Sequence, residues 1–311
     1  MGNKSYLVTG AAGFIGSALA GKLVNAGHSV VTIDNLSTGF RENIPEKVDL
    51  IEGDCSDKDT INQLGKVQFD AIFHIAGQSS GEISFEDPVY DLGTNALSTL
   101  LLLKYALENN CKKFIFASTM SVYGDQPDAP IEESEQTNPR SFYAVGKIAS
   151  EHYMRLFADF GMTNTALRLF NVYGPGQNMK NLKQGMVSIF LAQALDSKKI
   201  VVKGHPERFR DFVFIDDIVN AFIQAEMFDD SKYRVLNIGT GRRTTVAEFL
   251  DKIIFNLPFN IEVEVTESTH GDQFGCYWDI NKVMKVMKWN PKIGLGEGLR
   301  IFCDKAIKNL S

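Results

Sequence analysis

Eight residues near the start of the chain, Thr9-Gly10-Ala11-Ala12-Gly13-Phe14-Ile15-Gly16, limit most what it can fold into. They follow a strand-like run, Ser5-Tyr6-Leu7-Val8-Thr9, and open a helical segment over 14–26. Glycines let the backbone turn sharply and approach a pyrophosphate, whose charge the helix N-terminus meets. A second run, Ser29-Val30-Val31-Thr32-Ile33, ends on Asp34. A carboxylate there bonds the adenosine ribose hydroxyls and repels a 2′-phosphate, so the expected cofactor is NAD rather than NADP. Arg41, nearby, is the kind of residue that would take a 2′-phosphate instead.

The alternation continues. Further β-branched runs lie at 48–52, 70–75 and 113–117, with helical composition at 57–65 and 92–109. A long helical pattern over 142–160 and a strand at 164–169 follow. Strand, helix, strand repeated in this way predicts the α/β class: a doubly wound parallel (Rossmann) sheet with helices on both faces. After Tyr173-Gly174-Pro175-Gly176 the regularity breaks. Helical patterns at 182–195, 216–228 and 245–256 mix with short strands near 200–203, 211–215, 235–238 and 261–265. The expected organisation is a dinucleotide-binding domain over 1–174, with segments near 211–218 and 235–239 returning to it. A smaller mixed α/β lobe is expected over 175–311.

Bulk properties exclude other classes. A net charge of -6 argues against a nucleic-acid partner. No run of 18 apolar residues offers a membrane span. The first strand starts at Ser5, which predicts a chain without a leader peptide and a cytoplasmic protein. Cys55, Cys111, Cys276 and Cys303 are far apart, form no CxxC pair and predict reduced thiols and no metal site. Cys111, near a helix end, is expected to be partly exposed.

Tyr143-Ala144-Val145-Gly146-Lys147 carries the chemistry. Residues four apart share one helix face. A lysine one turn from a tyrosine can stabilise phenolate and draw a phenol pKa from ~10 toward neutrality, making it a usable acid/base for a sugar hydroxyl. The strand at 113–117 runs on into Ser118-Thr119-Met120-Ser121, delivering hydroxyls beyond the carboxyl ends of the strands, where nicotinamide is expected.

With these marks, the chain resembles an extended short-chain dehydrogenase/reductase of the nucleotide-sugar epimerase/dehydratase family, similar to the UDP-glucose 4-epimerases within it. Further marks are Asp54, His74-Ile75-Ala76-Gly77, Asn95, Leu167-Arg168-Leu169-Phe170-Asn171-Val172-Tyr173-Gly174, Arg210-Asp211-Phe212-Val213 and Leu236-Asn237-Ile238-Gly239. The resemblance implies that Tyr143 is the acid/base, that Lys147 bonds the nicotinamide ribose and that Thr119 holds the sugar oxygen. It implies NAD contacts from Gly10, Gly13, Phe14, Ile15 and Gly16, from Asp34, Asn35, Ser37, Thr38 and Gly39, and from Asp54 and Cys55. Ile75, Ala76, Gly77, Asn95, Ala117, Phe170 and Val172 complete that set. Ser79, Asn171, Arg208, Arg210 and Asp272 are the implied contacts to a nucleoside-diphosphate sugar. The resemblance also implies a homodimer formed through helices 92–108 and 142–160.

Departures narrow the reaction. Dehydratases and decarboxylases of the family carry an acid beside the threonine, whereas Met120 and Ser121 stand there. The loop His74-Ile75-Ala76-Gly77-Gln78-Ser79-Ser80-Gly81 is unusual for the family. Thr269 replaces the arginine of the family's Arg-x-Gly-Asp clamp, so Arg208 or a basic residue of Met179-Lys180-Asn181-Leu182-Lys183 is expected to take over the diphosphate. A 4-epimerase is the leading expectation. A dehydrogenase that releases the 4-keto sugar uses the same residues. A non-catalytic NAD-binding regulator fits less well, because Thr119, Tyr143 and Lys147 are all present.

Overall fold

The computed structural model describes residues 2–228, 233–268 and 274–309. Its centre is a seven-stranded, wholly parallel sheet of β1 (Ser5–Thr9), β2 (Ser29–Asp34), β3 (Val48–Glu52), β4 (Ala71–His74), β5 (Lys113–Thr119), β6 (Thr163–Leu169) and, returning late in the chain, β11 (Tyr233–Ile238). The spatial order is β11-β6-β5-β4-β1-β2-β3. Direction of winding reverses between β1 and β4, which opens a crevice beyond the carboxyl ends of the strands. The inner strands are buried on both faces, so Leu7, Val8, Phe73, Phe114, Ile115 and Leu167 form a continuous apolar layer.

Helices α1 (Phe14–Asn25), α2 (Lys58–Asn62), α3 (Gly81–Glu86), α4 (Pro88–Leu92), α5 (Ser98–Glu108) and α6 (Phe142–Ala158) connect the early strands. Beyond β6 come β7 (Asn171–Tyr173), α7 (Met186–Ser197), β8 (Lys199–Lys203), β9 (Phe209–Arg210), β10 (Phe212–Phe214) and α8 (Ile215–Glu226). After β11 follow β12 (Thr244–Thr245), α9 (Val246–Phe255), β13 (Glu262–Thr266), α10 (Asn281–Met287) and α11 (Leu295–Lys308). The short strands pair as β7 with β10, β8 with β13 and β9 with β12, so this part is mixed α/β.

Two expectations need correcting. The segment 92–109 is not one helix. Asp87 caps α4, a π-helical turn spans Gly93–Leu97, and α5 starts only at Ser98. The hydroxyls of Thr99 and Ser150 bond the Asn95 carbonyl oxygen at 2.7 and 2.9 Å, supplying the wide turn with donors. Cys111 is fully buried, because its backbone closes onto Ala106 at the end of α5 and the side chain turns into the core between sheet and helix. All four cysteines are free. Among the described residues no helix is long and apolar enough to cross a membrane.

Candidate active site

The site begins where β1 passes into α1. Gly10 adopts φ +79°, a conformation open to glycine at little cost, and a Cβ on it would stand 2.9 Å from the Ala76 amide nitrogen. A Cβ on Gly16 would collide with the Gly10 carbonyl oxygen. Helix α1 starts from Gly13 with no side-chain cap and no acid in its first turn. Its leading N–H groups have no intrahelical partner and form the positive end of the helix dipole, so the residues present suit a pyrophosphate.

Asp34 is buried at the end of β2. Its Oδ2 accepts from the Ala12 amide at 2.8 Å and its Oδ1 from the Leu36 amide at 2.9 Å. The carboxylate thus ties the glycine loop to the next turn and keeps lone pairs for ribose hydroxyls. Arg41 ion-pairs with Glu52 at the end of β3. Asp54 accepts from the Ser56 amide and hydroxyl and from Asn35 Nδ2, between 2.6 and 2.8 Å. Capping of α2 falls to Asp57 instead, which accepts from the amides of Asp59 and Thr60.

Beyond β4 the Thr9 hydroxyl accepts from the amides of Ile75 and Ala76, both at 3.1 Å, and fixes the start of the 75–77 loop. His74 lies between Thr9 Oγ1 at 2.8 Å and Ser98 Oγ at 3.1 Å. Burial and the charge of Lys147 hold its pKa well below the ordinary value, so the ring is a neutral link inside the sheet.

Ser141 caps α6 through its hydroxyl, which accepts from the Ala144 amide at 3.2 Å. The helix then presents Tyr143 and Lys147 on one buried face. Lys147 Nζ donates to the Ala117 carbonyl at 2.9 Å and lies 4.6 Å from the Phe116 ring centroid and 5.9 Å from that of Tyr143. Thr119, at the end of β5, lies close enough to the Tyr143 side chain to ease its ionisation. A phenol drawn toward neutrality was expected, and the structure shows the opposite. Burial pushes Tyr143 up to about 12, against the pull of Thr119 and with a further push from Asp91. Burial also brings Lys147 down to about 8, opposed by Asp91 and Glu151. Both groups are shut off from water together, and for both the loss of hydration is the largest effect.

Every residue expected to hold the cofactor, except Asn95, lines a single cavity of about 440 Å³. Thr119, Ser79 and Asn171 line it too. Asn95 is fully buried behind Gly77, where a Cβ would lie 2.6 Å from its Oδ1. Ser79, Asn171 and Arg210 also line a neighbouring cavity of about 290 Å³ that shares Tyr143 and Ser121 with the first. Asn171 Oδ1 is buried there with no hydrogen-bond partner among the described residues. Arg210 donates to the carbonyls of Phe209 and Phe274 at 2.8 and 3.1 Å, and burial lowers its pKa to about 10. Arg208 lines neither cavity. Its guanidinium closes a turn by donating to the carbonyls of Lys203 and His205, so the structure does not bring it onto the cavity lining with the other candidates. Of the two lysines in 179–183, Lys183 lines the smaller cavity and pairs with Glu86 at 2.7 Å, whereas Lys180 lines neither. Thr269 and Asp272 lie outside the described residues.

Sequence reasoning missed Gln177, Gln184 and Met186, which line the larger cavity from the segment after β7. That segment is pinned at both ends. Asn178 donates to the Thr38 carbonyl at 3.3 Å, and Gln184 donates to the Ser79 hydroxyl. Gly176 and Gly185, both at positive φ, bracket it and were its only sequence signal.

Residues 6–239 match the NAD dependent epimerase/dehydratase family. The chain belongs to that family. It is an NAD-dependent enzyme with a Rossmann-type sheet. It is 34% identical to a UDP-glucose 4-epimerase of Mycolicibacterium smegmatis over 94% of this chain and 95% of the relative. A crystal structure of UDP-glucose 4-epimerase with UDP-glucose from Thermotoga maritima superposes with TM-score 0.93 at 35% identity, covering 99% and 100% of the two chains. A Thermus thermophilus UDP-glucose 4-epimerase in complex with NAD gives 0.90 at 32% identity, covering 96% and 98%.

Proposed function

We propose that this protein is a UDP-sugar 4-epimerase that works by reversible oxidation at C4, with Tyr143 as the acid/base. The observation that carries the reading is the meeting of Thr119, Tyr143 and Lys147 on the lining of the larger cavity, with Tyr143 also facing its polar neighbour. Similarity over nearly the whole length to UDP-glucose 4-epimerases supports the UDP-sugar. Met120 and Ser121 favour epimerisation over elimination, since no carboxyl group stands beside Thr119 to assist it.

Gly10, Gly13 and Gly16 would hold the pyrophosphate of NAD, Asp34 its adenosine ribose and Lys147 its nicotinamide ribose. When bound, NAD supplies a cationic ring and a reversible acceptor for the C4 hydride, so that oxidation and return from the opposite face invert the carbon. Thr119 orients the sugar hydroxyl toward the phenol. Tyr143 takes the hydroxyl proton as hydride leaves and gives it back on reduction. Lys147 stabilises the phenolate, and the buried walls keep water from the reacting carbon. Incubation with a panel of nucleotide sugars, read by NMR, tests the reading. Interconversion of UDP-glucose and UDP-galactose is the expected result, and turnover of none of the panel would contradict it.

NAD is expected to stay bound through purification, because loss of cofactor mid-cycle would strand the enzyme. Denaturing the protein and assaying the released nucleotide checks this. NAD(H) is expected, and NADP(H) alone would overturn the role of Asp34.

The same reading includes a homodimer through the segments 92–108 and 142–160. Leu97, at 42% exposure, and Leu156, at 50%, lie open with Leu92, Val145 and Phe160 in these segments. Apolar faces of this kind pair in bundles across a two-fold axis. Light scattering at micromolar concentration should give twice the chain mass, and a monomer would refute the pairing.

A further inference from the structure

Asp91 lies at the end of α4 and is 1% exposed. Its Oδ1 accepts from Gln78 Nε2 at 2.8 Å and from Asn95 Nδ2 at 3.1 Å. Its Oδ2 is buried with no hydrogen-bond partner among the described residues. A buried carboxylate oxygen without a donor is costly unless a charge compensates it.

The neighbouring atoms identify that charge. A Cβ on Gly146 would lie 3.5 Å from Asp91 Oδ2, so this oxygen faces α6 between Tyr143 and Lys147. A Cβ on Gly77 would lie 3.4 Å from Lys147 Nζ and 2.6 Å from Asn95 Oδ1, another buried acceptor with no partner among the described residues. Asp91 and Asn95 thus border Gly146, and Asn95 and the ammonium border Gly77, which places the carboxylate and the ammonium around the same buried Asn95 side chain. The Ala117 carbonyl takes only one of the three ammonium protons.

Four titratable groups face Lys147: Asp91 from α4, Glu151 from its own helix, Tyr143 from the preceding turn and the neutral His74 from β4. Glu151 is already neutralised, since it accepts from Arg168 Nε and Nη2 at 2.9 and 2.6 Å and from the Ser118 hydroxyl at 2.5 Å. Burial pushes the Asp91 carboxyl up, and Gln78, Lys147 and Asn95 pull it back.

We propose that Asp91 is a positioning residue for the reaction, the buried counter-charge that keeps Lys147 protonated beside Tyr143. Gln78 and Asn95 hold the carboxylate, and Gly146 leaves it room. The proposal rests on the reading above that Lys147 acts as an ammonium. It also gives a role to Gln78 of the 74–81 loop, which joins Asp91 to the Ser80 carbonyl at 2.8 Å and so to the cavity wall.

The test is the pH dependence of epimerisation of UDP-galactose by the NAD-loaded enzyme between pH 6 and 9.5. Burial already leaves the Lys147 proton loosely held, at about 8. Removing its counter-charge lowers that value further, so activity should fail earlier as pH rises. Asp91→Asn keeps the acceptor for Gln78 and removes the charge. It should match wild type to within about twofold at pH 6 and be about tenfold slower at pH 9, the effect of about one unit in the alkaline limb. Gln78→Leu, which keeps the carboxylate but loosens it, should move the limb the same way by less, and it carries the test if Asp91→Asn does not fold. A loss that is uniform across the pH range, or limbs identical to wild type, would overturn the proposal. Lys147→Met separates the two layers of argument: an unchanged rate in that variant would overturn the reading of the site itself.

Discussion

Tyr143→Phe lowers hydride transfer by about 10²–10⁴-fold, the usual worth of a positioned acid/base. The substitution keeps ring volume and removes one oxygen, so folding and NAD content should be preserved. The phenol is buried beside Thr119 and pushed up to about 12 in the protein alone. It can accept a proton at neutral pH only if the occupied site brings it down, and the cationic nicotinamide, with Lys147 held protonated, supplies the charge for that. Single-turnover reduction of bound NAD by substrate is the proper readout, because it isolates the chemical step from product release. Reduction at the wild-type rate would remove Tyr143 from the mechanism. Ser121, which lines both cavities, would then be the next hydroxyl to examine. His74 would not replace it, being locked between Thr9 and Ser98 within the sheet.

Gly16→Ala removes NAD affinity by about 10- to 100-fold. The new Cβ meets the Gly10 carbonyl, which is backbone and cannot swing aside as a side chain would. Relieving that overlap displaces either the glycine loop or the first turn of α1, and such overpacking costs about 1–3 kcal/mol. The displaced amides are the ones that would face the pyrophosphate, so the cost should fall on binding as well as on stability. Calorimetric titration of NAD into stripped protein, paired with thermal melts, separates the two. Full affinity in a destabilised protein would mean that the loop does not hold the pyrophosphate.

The parts of the site set by local rules were legible in the sequence. The glycine loop, Asp34 and the Tyr143/Lys147 spacing each follow from neighbours within a turn or a strand, and they converge on one cavity. What could not be read depends on distant chain segments. Burial of Tyr143 comes from sheet and helices closing over it, so the direction of its pKa was misjudged. Arg208 has the right chemistry for a diphosphate, yet its turn directs it to the carbonyls of Lys203 and His205. The π turn at 93–97 left no trace in the apolar spacing, because it is held by hydroxyls from its own helix and from α6. Nothing in the sequence marks Asp91, whose surroundings are set by α6 packing over it with Gly146 at the contact.

The central claim is that hydride leaves C4 of the sugar and returns to the same carbon from the other side. UDP-galactose carrying deuterium at C4, incubated with the NAD-loaded enzyme and followed by NMR, tests this most directly. The account predicts UDP-glucose that keeps its deuterium at C4, at a rate slowed by the isotope if hydride transfer limits turnover. Product with ordinary hydrogen at C4, or accumulation of a released 4-keto sugar with stoichiometric loss of deuterium from it, would contradict the account.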